Sequence, residues 1–63
     1  MQPSLLDFAL DLALDAMEDY DLDPSTKSGM LGILGHVMDE IAENGFDTTD
    51  LNLAELKAHI LKL

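Results

Sequence analysis

The chain has no cysteine, no arginine and no tryptophan. Without cysteine there is no disulfide and no thiolate metal site, and the composition carries no mark of a redox compartment. Long uninterrupted apolar runs are missing too. The one candidate, near the N-terminal end, is cut by Asp7, Asp11 and Asp15 and has no basic residue before it. It reads as neither a signal peptide nor a membrane span, and the expected location is cytoplasmic. β-Branched residues are few and nothing alternates with a period of two, which leaves an all-α reading. Positive charge is scarce. Three lysines stand against thirteen acids in 63 residues, for a net charge of −10. The first 26 residues hold seven acids and no base. Such a surface repels phosphate backbones and anionic lipid, so neither direct nucleic-acid binding nor membrane binding is expected.

What is present is an apolar fraction of 48%, enough for a folded chain despite the charge. A chain of about 60 residues is marginal alone and buries only ~60% of its unfolded surface. With disulfides and thiolate metals excluded, association with itself or with a partner is the open route to extra stability.

The rest is organised around the stretch from Leu5 to Tyr20, LLDFALDLALDAMEDY. Asp7, Asp11, Asp15 and Glu18 recur at steps of four, four and three, which places them on one stripe of a helix. At 100° per residue the stripe covers roughly 80° and leaves an apolar arc of about 240°, against the ~100° of an ordinary surface helix. Such a helix is central, covered from two or three sides. Leu10, Leu14 and Met17 lie on one flank and Phe8 and Leu12 on the other. Any flank left uncovered becomes an apolar patch rimmed by acid. Pro3 suits a first helical turn, and Ser4 with Asp7 forms a capping pair. Glu18, Asp19, Asp21 and Asp23 oppose the dipole at the far end, so fraying is expected near Asp19 to Asp21.

Asp23-Pro24 breaks the chain and offers an N-cap followed by a first-position proline. A second helix is expected over Pro24–Glu43, with Ser28 an alternative start, closed by Asn44-Gly45. Its apolar face is Met30, Leu31, Ile33, Leu34, Val37, Met38 and Ile41. Gly29, Gly32 and Gly35 interrupt it, at roughly 1 kcal/mol each relative to alanine. A loop-like start with the firm helix beginning near Met30 is the favoured reading. A close approach of another backbone is the alternative. A third helix is expected over Leu53–Lys62. Asn52 and Glu55 form its capping box, and Leu51 and Leu56 a hydrophobic staple. Leu53, Leu56, Ile60 and Leu63 make one face, Ala54, Ala58 and Leu61 a smaller one, and Glu55 pairs with His59. Thr48-Thr49-Asp50 is an alternative, earlier start.

Sites for chemistry are poor. Asp19, Asp21 and Asp23 begin like a calcium loop, but Pro24 stands where that loop needs glycine and Met30 where it needs a bidentate glutamate. His36 with Asp39, Glu40 or Glu43 is a weak ligand set, with His59 a distant addition. No glycine-rich phosphate loop, nucleophile or acid–base pair is recognisable. The chain reads as a non-enzyme without cofactor or metal.

The expected molecule is a small all-α three-helix bundle, one domain over residues 1–63, with the first helix central. Its expected function is protein–protein interaction, as an adaptor or inhibitor of a larger, basic-surfaced protein. The partner-binding candidates are Phe8, Leu10, Leu12, Leu14 and Met17 with Asp7, Asp11, Asp15 and Glu18. A homodimeric structural bundle and an acidic mimic of nucleic acid are the alternatives. The mimic rests on carboxylates ~6 Å apart, one helical turn. In size, acidity and helical pattern the chain resembles small accessory proteins of phages and plasmids, without a motif that names a family.

Overall fold

A computed structural model describes residues 4–63. The expectation for Pro3 falls outside them. The order is α1 (Leu5–Tyr20), α2 (Lys27–Glu43), a 3₁₀ turn (Thr48–Asp50) and α3 (Leu53–Leu61), with no strand among the described residues. Helix α1 packs against both α2 and α3, and the 3₁₀ turn packs against α2. The first helix is thus the central one. The link between α1 and α2 is short, and Phe8 near the start of α1 meets Phe46 just past the end of α2, ring centres 5.8 Å apart. The two helices therefore run antiparallel.

Each helix starts on a side-chain cap. The amides of Asp7, Gly29 and Glu55 donate to Ser4 Oγ, Thr26 Oγ1 and Asn52 Oδ1 at 3.0–3.1 Å. Each bond satisfies one orphan donor of a first turn, about 1 kcal/mol apiece. The ends of α1 and α2 are closed by left-handed residues. Gly45 has φ 86°, with Phe46 N–H donating to the Ile41 carbonyl and Gly45 N–H to that of Ala42. This is the closure expected of Asn44-Gly45. Helix α1 does not fray through Asp19 to Asp21. It runs to Tyr20 and stops on Asp21, left-handed at φ 52°, with Leu22 N–H bonded back to the Met17 carbonyl. Asp is one of the few residues with a side chain that tolerate this conformation.

Two boundaries are corrected. Helix α2 begins at Lys27, not at Pro24, and its N-cap is Thr26 rather than Asp23. Asp23 instead closes a turn over Pro24. Its Oδ1 accepts from Ser25 N and Ser25 Oγ, and its carbonyl accepts from Thr26 N and Thr26 Oγ1. Helix α3 ends at Leu61, with Lys62 as its cap, and Thr48–Asp50 forms a separate 3₁₀ turn rather than an early start.

The glycine-rich start is regular helix from Lys27, which overturns the loop-like reading. A Cβ on Gly29 would collide with the Asp23 carbonyl and with Thr26 Oγ1, so the close backbone approach holds at that position. A Cβ on Gly32 would press the Leu22 methyls at 3.2 and 3.4 Å, while one on Gly35 would meet nothing.

The core is supplied mostly by α2: Met30, Ile33, Leu34, Val37 and Ile41 are buried. Leu51, Leu56 and Ile60 close it from the C-terminal segment, with the staple pair Leu51 and Leu56 both inside. Full burial of each such side chain contributes about 1.5–3 kcal/mol. Helix α1 enters through Ala9, Ala13 and Ala16, its only buried residues. They share one face at steps of four and three, and their small side chains let α1 approach closely. Its larger residues, Leu5, Leu6, Phe8, Leu10, Leu12 and Met17, pack from the sides and stay partly open. The expected faces of α2 and α3 are too wide. Leu31 and Leu63 are exposed, and Leu53 is exposed at the edge.

Candidate functional site

The helical period of α1 sets the geometry of its outer surface. Asp7, Asp11, Asp15 and Glu18 are all exposed, on the side away from Ala9, Ala13 and Ala16. Among the described residues none of the four forms an ion pair. The one contact of this kind among the described residues is between Glu55 Oε1 and His59 Nε2, 3.9 Å apart across one turn of α3, an ion pair when the imidazole is protonated. Carboxylates one turn apart without counter-charge repel one another by a few tenths of a kcal/mol per pair. The stripe is therefore a solvated, uncompensated row of negative charge.

The nine partner-binding candidates are not equally accessible. Phe8, Leu10, Leu12 and Met17 are half-buried, and Phe8 is capped by the tilted ring of Phe46. Leu14 is the open one, at 44% exposure beside Asp11, Asp15 and Glu18. The two flanks thus differ. Phe46 shields one, and the other opens around Leu14.

The Leu14 flank continues into an open groove. Leu14, Met17 and Glu18 of α1 form one wall, Pro24 and Ser25 the end, and Ile60, Leu61 and Leu63 the other wall. A second groove lies beyond Pro24, Ser25 and Leu61, which belong to both. It carries Leu31 and Leu34 of α2 and two of the three lysines, Lys27 and Lys57. Leu31, Lys27, Lys57, Leu61 and Leu63 were missed as surface candidates. The signal was the second apolar face of α3, Ala54, Ala58 and Leu61, on a helix too short to be covered on both sides.

Two carboxylates are held below the usual carboxylate range by local bonds. For Asp23 the Ser25 hydroxyl is the larger cause and the Ser25 amide the smaller. For Asp47 the order is the Thr49 amide, then its hydroxyl. Both groups are exposed, and their role is in turn formation. His36 faces the ring of Tyr20 edge-on, centres 5.7 Å apart. Among the described residues no group of three or more histidines or acids is placed to hold a metal ion. No helix among the described residues is long and apolar enough to cross a membrane.

The class these features define is a small all-α bundle with an acidic outer stripe and an apolar flank. No protein-family model matches the chain, and no curated protein or solved structure does.

Proposed function

We propose that the protein works by binding another protein, as an adaptor or inhibitor that presents the acidic stripe of α1 and the Leu14 flank to a basic surface. The observation that carries this reading is the row of four exposed carboxylates, unpaired among the described residues, beside a half-exposed leucine. Natural surfaces commonly intersperse both signs. A single-sign row raises the encounter rate with a basic partner, and an adjacent apolar anchor slows dissociation.

The test is comparative capture. The wild-type chain and an Asp11→Asn/Asp15→Asn chain are immobilised side by side and exposed to the same host lysate. A protein retained by the first and lost from the second is then purified, and its association rate is measured against salt. A rate that falls steeply between low and physiological ionic strength supports the proposal. Identical retention by both chains, or a rate indifferent to salt, removes it.

A further inference from the structure

The two grooves that meet at Pro24, Ser25 and Leu61 carry opposite charge. Glu18 rims the first, and Lys27 and Lys57 line the second. Neither lysine forms an ion pair within the described residues. Across this face lie Leu31, Leu61 and Leu63, exposed at 61, 60 and 63%, with Leu14 at the acidic edge. The result is an apolar centre with acid along one edge and base along the other.

We propose that a second copy of the chain docks on this face, forming a two-fold dimer. A two-fold axis near Leu61 lays the Glu18 edge of each copy against the Lys27 and Lys57 edge of the other and packs leucine on leucine between them. Charge selects this occupant. A uniformly acidic partner would meet repulsion at Glu18, and a uniformly basic one at the lysines. A copy of the same chain meets attraction at both edges. An interface of about 800 Å² per copy is standard for a stable dimer and would take about a fifth of the 4301 Å² that the molecule exposes. Asp7 and Asp11 line neither groove. They stay outside the dimer, as does Asp15, so the dimer would display two rows of three aspartates with Glu18 enclosed. The dimer takes Glu18 and the Leu14 edge, which the proposed basic partner would also use, so the two compete for that flank, and the dimer is tested without any partner.

The experiment is sedimentation equilibrium over a hundredfold concentration range, on the wild type and four variants checked for helicity. Leu61→Glu removes the apolar centre at an exposed position. Lys57→Glu and Glu18→Lys each place like charges face to face, twice per dimer by symmetry. The double swap Lys57→Glu/Glu18→Lys restores the attraction with its polarity reversed. Dimerisation of the wild type is expected, abolished by Leu61→Glu. Each single swap is expected to weaken it about tenfold, and the double swap to bring it back to within about threefold. A wild type that stays monomeric overturns the proposal. So does a dimer that survives Leu61→Glu, or a double swap no stronger than the single ones.

Discussion

The backbone carbonyl of Asp23 occupies the space where a side chain at Gly29 would begin. That carbonyl also accepts from Thr26 N at 3.1 Å and Thr26 Oγ1 at 2.9 Å, and the same Thr26 oxygen caps α2 through Gly29 N. One oxygen thus organises the turn and forbids a Cβ at the third residue of the next helix. Gly29→Ala is therefore destabilising even though alanine is the better helix former. It must displace the cap and the turn together, at about 1–3 kcal/mol. Gly35→Ala is the control. A Cβ there meets nothing, so the helix propensity gain of about 0.5–1 kcal/mol is expected in full. Urea unfolding of the two variants checks both signs. Equal effects at the two positions would show that the turn does not press on Gly29.

Charge repulsion along α1 gives a second expectation. Asp11 has like-charged neighbours one turn away on both sides, Asp7 and Asp15. Asp11→Asn relieves both contacts and raises stability by about 0.4–1 kcal/mol at low salt. Asp7→Asn relieves only one and loses a favourable interaction with the helix N-terminus, where Ser4 caps the first turn. It gains little or nothing. The wild type gains thermal stability at about 0.5 M salt, and the advantage of Asp11→Asn shrinks there, because ions screen exposed charges. Melting curves at two salt concentrations test this. A wild-type Tm indifferent to salt would mean that the stripe is already neutralised by cations of another chain.

The two turns bring acid sensitivity. The carboxyls of Asp23 and Asp47 are both lowered from the ordinary value of 3.8, by Ser25 and by Thr49. A lowered folded value means that the ionised form is the stabilised one. Their contribution is full above 3.8 and is lost as pH falls through the lowered folded values. Stability measured from about pH 5 down to pH 2 should fall for this reason below the ordinary carboxylate value. In an Asp23→Asn/Asp47→Asn chain the amide oxygens still accept, but that part of the fall disappears. Proton titration of the two wild-type side chains by NMR gives the direct reading. Values at or above 3.8 would contradict the sign.

The helix bounds of α1, the Ser4, Asn52 and Gly45 signals and the staple of Leu51 with Leu56 are local, and local chemistry makes them legible in the sequence. The start of α2 is not. Asp23, Pro24 and Thr26 are all acceptable at a helix entrance, and the choice falls to the bonds that Asp23 makes across the turn. The acidic stripe follows from period alone and lies where the period places it. The groove between Leu14 and Leu61 depends on how α3 lies across α1, and no pattern within either helix specifies that.

Alanine rather than leucine at the centre of α1 yields the last prediction. A 240° apolar arc, in the idealised count of about 100° per residue, does not say which sector turns inward. In the fold the inward sector is Ala9, Ala13 and Ala16, all fully buried, while Leu14 is 44% exposed. Bulk at the inward sector would push α1 off α2 and α3 together, since α1 contacts both. Ala13→Leu adds three carbons to a fully buried site and is expected to destabilise by about 1–3 kcal/mol. Leu14→Ala removes the same three carbons from a surface position and should cost well under the 2–5 kcal/mol of a buried leucine. The neighbouring positions 13 and 14 thus invert the usual ranking of leucine and alanine. Urea midpoints for the two variants, taken at concentrations where the chain is monomeric, decide it. A Leu14→Ala cost as large as that of Ala13→Leu would mean that α1 is rotated toward its leucine flank, and the alanine-centred packing would have to be abandoned.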